Sequence, residues 1–199
     1  MAVHRIIEEH AARCGDTTAI THSGITLSYR ELNQRANAVA RHLVDHDFRR
    51  GMLAWVDMPR TAETAVILLA ILKAGGRYAL AGAEVSASRW PSGLSFEVER
   101  DGDETRYRTL DVSPSFVRTP QSSANLPILV RDSDIACAIP EDVGSPMLLV
   151  PHATIVSLRP KTTPPLTEWS GEAGALDLWA ALMSGGTVTL SGAALRSAA

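Results

Sequence analysis

Apolar residues recur at helical spacing from the beginning of the chain. Val3, Ile6, Ile7 and Ala11 fall on one side of a helix, and Gly15 follows as a stop signal. The pattern therefore predicts an amphipathic helix at the start of the chain.

The pattern then changes to short runs that favour β-structure. Residues 19–21 and 25–27 flank a glycine-containing turn at residues 22–24, which predicts a hairpin. Ser28 and Glu31 form an S-x-x-E capping box, and the apolar residues behind it follow a helical stripe. A second amphipathic helix is expected directly after the hairpin.

Apolar strands and helices alternate over the next part of the chain. Residues 53–56 resemble a buried parallel strand, residues 61–73 a strongly apolar helix, and residues 78–80 another strand. Gly75 and Gly76 mark the end of the helix. This alternation predicts an α/β fold with βαβ units and a mostly parallel sheet.

Two-residue periodicity replaces this pattern farther along. Residues 94–98 and 105–109 alternate about the turn signal Asp101-Gly102, which predicts a peripheral antiparallel hairpin. Residues 113–127 are rich in Ser and Pro and are expected to form an exposed connection.

One order of elements occurs twice. Residues 68–80 (LLAILKAGGRYAL) and 178–190 (LWAALMSGGTVTL) both run from an apolar helix through Gly-Gly into a strand. Two interpretations are open at this point. In the first, the segments are copies of one packing arrangement; in the second, each uses Gly-Gly as a common helix stop.

Composition excludes several classes of partner. The 199 residues are 45% hydrophobic and 21% charged, and the formal net charge is −3. The basic residues are scattered, so neither nucleic acid nor an acidic membrane is an expected partner. Residues 65–72, the longest apolar stretch, are too few to span a bilayer. With two distant cysteines and no signal-peptide pattern, a cytoplasmic location is expected.

Three segments resemble the adenylation domains of the acyl-adenylate-forming superfamily, in particular those of nonribosomal peptide synthetases. They are residues 26–43 (TLSYRELNQRANAVARHL), residues 68–78 (LLAILKAGGRY), and the pair formed by residues 150–152 with residues 178–186. The resemblance implies a truncated N-terminal part of such a domain. It divides the chain into an adenylation-like βα subdomain (1–81), a divergent hairpin insertion and linker (82–127), and an adenylation-like βα segment with a degenerate phosphate loop (128–199).

The phosphate loop departs from the family pattern. The family places a run of Ser, Thr and Gly before Pro-Lys-Gly, and the backbone N–H groups, hydroxyls and Lys bind the phosphates of ATP. Gly144 and Ser145 match the end of this loop and are its candidate cofactor-binding residues, but Glu141 and Asp142 precede them and Met147 replaces the Lys. Each such charge contributes roughly 4 kcal/mol at about 4 Å and an effective dielectric near 20, so ATP binding is expected to fail.

Two residues are candidates for binding a small carboxylic or amino acid. Aligned on Trp179, the family's Phe-Asp pair falls at Gly171-Glu172, so Glu172 could pair with a substrate ammonium. The alternative, a solvated surface Glu, is favoured by base rates because Glu is rarely buried unpaired. His152 resembles the family histidine near the acyl pocket, and a local hydrogen-bonding role is the alternative.

Three functional hypotheses follow from the resemblance. The first is a catalytically inactive adenylation-domain-like protein of secondary metabolism, without catalytic residues, cofactor or metal, which acts as an interaction partner or small-molecule binder. A homodimer or a synthetase component would be its partner. The second is an acyl-adenylate-forming ligase that another polypeptide completes in trans, using ATP and magnesium. The third is an inert remnant.

Other candidate residues favour structural roles. His42 and His46 are spaced for zinc on a helix, but no third ligand lies nearby in the sequence. Cys137 lies in an apolar run typical of a buried strand, and Thr61 precedes a helix as a cap.

Overall fold

The computed structural model describes residues 1–80, 93–101, 104–118, 124–139, 147–158 and 174–190. The described helices are α1 (Val3–Arg13), α2 (Tyr29–Asp45), α3 (Ala62–Lys73), α4 (Pro114–Arg118), α5 (His152–Ser157) and α6 (Gly174–Met183). The described strands are β1 (Thr18–His22), β2 (Ile25–Ser28), β3 (Leu53–Asp57), β4 (Arg77–Leu80), β5 (Gly93–Asp101), β6 (Glu104–Leu110), β7 (Ile135–Ile139), β8 (Leu148–Pro151) and β9 (Val188–Leu190).

The predicted first helix, hairpin and capping box are confirmed. Strands β1 and β2 pair antiparallel, and the turn uses Ser23 and Gly24 at φ values of 48° and 79°. The N–H of Glu31 donates to the Ser28 hydroxyl at 3.2 Å, and the N–H of Ser28 donates to the Glu31 carboxylate at 2.9 Å. These two bonds satisfy backbone donors that a helix start would otherwise leave open.

Six strands form the main sheet, in the order β6-β5-β3-β4-β7-β8. Its centre is parallel, because β3 pairs with β4 and β4 with β7 in the same direction. Both flanks are antiparallel. The α/β class is therefore confirmed, and the sheet is mixed, with a parallel centre.

The predicted antiparallel hairpin is also confirmed, and it extends the sheet. Strand β5 pairs with β6, so that Leu94 lies opposite Leu110, and β5 also pairs with β3. Leu94 and Phe96 are buried in the core. The hairpin therefore covers the edge of β3.

The segment expected to be an exposed connection is more ordered than predicted where the structure describes it. Pro114–Arg118 forms the short helix α4, which lies against α2 and α3. Val117 is buried, and the Ser113 hydroxyl accepts from the N–H of Phe116 at 3.4 Å. The apolar pair Phe116-Val117 explains the difference, since burying it stabilises a turn of helix.

The two Gly-Gly segments have the same backbone geometry. Gly75 donates to Leu72 O and Gly76 to Ile71 O, at 3.1 and 3.0 Å. The equivalent bonds from Gly185 and Gly186 reach Leu182 O and Ala181 O, each at 3.2 Å. Both helices therefore end in a Schellman motif, with the first glycine in the left-handed region.

The strands that follow these glycines join different sheets. Strand β4 enters the main sheet, whereas β9 pairs in parallel with β1 in a three-stranded sheet of order β2-β1-β9. The last described strand therefore pairs with the first strand of the chain. None of the described helices is both long and apolar enough to cross a bilayer.

Candidate functional site

The degenerate phosphate loop lies beyond the carboxyl end of β7. Gly144 and Ser145 fall outside the described residues, as does Glu172, so their predicted roles stay predictions. Ile139 pairs with Leu148 across the two strands that flank residues 140–147. In α/β sheets, ligands bind outside the carboxyl ends of parallel strands, so such a site is expected at the carboxyl end of β7.

Met147, the residue in place of the family's lysine, has apolar surroundings. It packs, partly buried, against the small cluster of Trp55, Ala79 and Ala138. A thioether in this position carries no charge for a phosphate and instead adds apolar contact.

His152, the first residue of α5, is fully buried. Its Nδ1 accepts from the backbone N–H of Val3 at 3.3 Å, and its own backbone N–H donates to Asp134 O at 3.0 Å. The ring also lies edge-on to His4, with 5.9 Å between centroids. His152 therefore fastens the beginning of α1 to α5.

The protonation state of His152 follows from this burial. Burial lowers the pKa of His152 to about 4, so the ring is neutral near pH 7. Since Nδ1 accepts a hydrogen bond, the ring proton resides on Nε2, which has no partner among the described residues. The predicted role of His152 in substrate binding stays a prediction, and the Nε2–H group is the donor that it would offer to a substrate.

A second buried polar contact lies between β4 and α6. Trp179 Nε1 donates to the Tyr78 hydroxyl at 2.6 Å, and both side chains are buried. Nearby, Tyr78, Cys137 and Ala175 help to line a cavity of about 10 Å³. A space of this size holds about one water molecule, whereas small-molecule sites are typically 300 Å³ or larger.

Cys137 is a buried residue of β7, as the sequence predicted. Burial raises the pKa of its thiol to about 11. The protonated thiol is a poor nucleophile, so the chemistry of this region is that of a packed core.

The two histidines at the end of α2, His42 and the C-cap residue His46, lie close together. The His42 and His46 rings are 4.3 Å apart, and His46 Nδ1 lies 2.8 Å from His42 O. No group of three or more potential metal ligands occurs in the described part of the chain. Thr61 caps α3, accepting from the N–H of Thr64 at 3.4 Å.

A buried polar cluster escaped the sequence analysis. Lys73, in the apolar helix α3, forms a buried ion pair with Glu8 of α1, and its Nζ donates to Asn125 Oδ1 at 3.2 Å. Asn33 and Asn37 of α2 donate to the same oxygen. A lysine within an otherwise apolar helix was the available signal, because such a charge requires a partner when buried.

Burial lowers the pKa of Lys73 to about 8, although the Glu8 carboxylate opposes this shift. The cluster joins three helices to the segment before β7.

Comparison with known proteins gives a consistent assignment. A family model described as AMP-binding enzyme matches residues 7–93. Surfactin synthase subunit 2 of Bacillus subtilis is 47% identical over 78 residues, which are 39% of this chain and 2% of that protein. Bacitracin synthase 1 of Bacillus licheniformis is 27% identical over 208 aligned positions, covering 94% of this chain and 4% of that protein.

The fold agrees with these sequence matches. An artificially fused adenylation–PCP di-domain, NpsA-ThdA from Klebsiella oxytoca, superimposes with a TM-score of 0.74 at 20% identity, covering 95% of this chain and 39% of that one. The chain thus spans only a small part of its curated relatives. The chain is similar to adenylation domains of nonribosomal peptide synthetases, and its residues 7–93 match the AMP-binding enzyme family.

Proposed function

We propose that this chain is a non-catalytic, cytoplasmic component of nonribosomal peptide synthesis that acts by contacting a synthetase polypeptide. It neither binds ATP nor forms an acyl-adenylate by itself. Two features motivate this proposal. The family's packing segments are kept, and its phosphate loop is altered.

The environment of Met147 carries the proposal. The resemblance places a phosphate-neutralising lysine at this position, and here the side chain packs on Trp55, Ala79 and Ala138. Glu141 and Asp142 in the preceding sequence add negative charge. Since phosphate binding requires cationic or N–H groups, both changes weaken it.

The small space beside Tyr78 and Ala175 supports the same conclusion for the acyl substrate. Ala175 follows Glu172 by three residues, so this is the described region nearest the predicted ammonium-binding residue. A cavity of about 10 Å³ there is far smaller than a typical site for an amino acid.

Strand β8 supports a protein partner. It has one strand neighbour within the described sheet, and its Leu148 and Leu149 side chains are 51% and 48% exposed. An open edge with exposed apolar side chains favours addition of a strand from another polypeptide. The curated relatives are synthases, so the proposed partner is a component of a synthetase.

Calorimetry with ATP and magnesium tests the proposal. The wild-type chain should give no binding heat up to millimolar ATP. Met147→Lys restores the missing cation and Met147→Leu keeps the apolar packing, so only the first should gain measurable affinity. Micromolar binding by the wild-type chain would overturn the proposal and favour the ligase completed in trans, for which pyrophosphate exchange would appear once the second polypeptide is added.

A further inference from the structure

An open cleft of about 460 Å³ lies at the amino ends of the parallel strands. Arg77 begins β4, and Ser133 and Asp134 immediately precede β7. The phosphate-loop segment follows the opposite end of β7, roughly 13 Å away for a strand of this length. The cleft is therefore separate from the site discussed above.

Arg77 lines this cleft. Its backbone N–H donates to Met52 O at 2.9 Å, but its buried Nε has no hydrogen-bond partner among the described residues. Thr187, the equivalent residue of the second Gly-Gly segment, donates its hydroxyl to Thr18 O at 2.8 Å. A buried donor without a partner is costly, so the guanidinium of Arg77 requires an explanation that strand pairing does not supply.

Arg50 is held in a fixed position on the other wall. Its Nε and Nη2 donate to both carboxylate oxygens of Asp134 at 2.7 to 3.1 Å, and the N–H of Arg131 donates to the same carboxylate at 3.0 Å. Its stem also lies on Gly75, where a Cβ would come within 3.2 Å of Arg50 Cγ. A guanidinium fixed in this way loses little freedom when a ligand binds.

The charges of the cleft favour an anion. Burial by itself raises the pKa of Asp134, but the hydrogen bonds from Arg131 and Arg50 outweigh this effect, and the pKa is lowered overall. The carboxylate is therefore ionised and balances the charge of Arg50. Arg77 then leaves one positive charge among the residues that line the cleft. Guanidinium forks match the geometry of carboxylates and phosphates, and the volume lies in the range of small-molecule sites.

We propose that this cleft binds a small oxyanion, a phosphate or carboxylate group, and that Arg77 is its principal ligand. Arg50 and the Ser133 hydroxyl complete the set of donors. Anion binding in this cleft does not require ATP binding at the phosphate loop, which the proposed function excludes.

A titration followed by amide NMR tests this inference. Sodium phosphate and sodium acetate are added separately at constant ionic strength, and saturable shifts are expected at Gly51, Arg77 and Ser133. Saturation by phosphate alone would identify a phosphate site, saturation by acetate alone a carboxylate site, and saturation by both an oxyanion site of low selectivity. No saturable shift with either anion would overturn the inference.

Variants separate this site from general charge effects. Arg77→Gln should weaken binding at least tenfold, about the worth of one charged hydrogen bond. Arg77→Lys keeps the charge without the fork and should weaken binding less. Arg13→Gln, which removes an exposed charge on α1, should leave the affinity unchanged. Equal affinity in Arg77→Gln and the wild-type chain would contradict the assignment.

Discussion

The two helix-Gly-Gly-strand segments share a backbone and differ in what surrounds it. Both end their helices with the same pair of hydrogen bonds and a first glycine in the left-handed region, at φ values of 79° for Gly75 and 77° for Gly185. Aligned on the glycines, Lys73 corresponds to Met183, and Arg77 to Thr187. The same local structure therefore supports a buried charge in one segment and plain apolar packing in the other.

Residues distant in sequence enclose these glycines. At the first glycines, Gly75 and Gly185, an added Cβ would have its nearest contact at 3.1 Å in both segments, whereas at Gly76 it would lie 2.2 Å from Phe48 Cζ. Phe48 is buried and lies edge-on to Phe96, with 5.0 Å between ring centroids. Residues near a turn in the sequence therefore specify its hydrogen bonds, while residues distant in the sequence determine how the turn is enclosed.

Gly76→Ala should break the first segment most severely. The new methyl group would overlap the Phe48 ring and approach Met52 O at 3.1 Å, and the ring is fully buried against Phe96. Overpacking of this kind costs about 3 kcal/mol of unfolding free energy. Urea unfolding measures the loss.

A second substitution identifies the cause of that loss. Phe48→Leu removes the ring atoms that the methyl group meets, so the double variant should be more stable than the sum of the two single effects predicts. Additive losses would show that Phe48 is not the obstacle.

Lys73→Met gives the first segment the residue that the second segment has. It should lower the unfolding free energy by about 3 kcal/mol, because Glu8 is left buried without its main partner. Arg5 donates to the same carboxylate at 2.9 Å and limits the loss. Urea unfolding near pH 7 is the measurement.

The matched control neutralises the remaining charge. Glu8→Gln in the Lys73→Met background should recover most of the stability, since an amide is far less costly to bury than a carboxylate. A fully stable Lys73→Met variant would mean that the ion pair contributes nothing to joining α1 and α3.

The sequence predicted those features of the fold that neighbouring residues determine. The Ser28–Glu31 capping box, the turn at Gly24 and the Gly-Gly stops all depend on residues within one or two turns of chain. The pairing partners of the strands could not be predicted in the same way. The pairing of β9 with β1 joins the two ends of the described chain, and no local pattern specifies it.

The same distinction between local and distant contacts applies to the candidate site. Replacement of the family's lysine by Met147 was visible in the sequence, but its packing on Trp55 was not, because the two residues meet only in the folded sheet. Likewise, Arg50 and Asp134 are 84 residues apart, and neither belongs to a recognisable motif. Contacts of this length depend on the whole topology.

Gly185→Ala should have the smallest effect of the three substitutions. The left-handed backbone costs about 1 kcal/mol for any residue with a Cβ. Gly24→Ala is the matched control, since Gly24 has nearly the same φ, 79°, and nothing within 4 Å of its added Cβ. If His10 encloses the second segment, Gly185→Ala should lose more unfolding free energy than Gly24→Ala, because the ring is held 2.9 Å from Met183 O. Equal losses would show that the ring moves aside, and that only the first segment is enclosed by its surroundings.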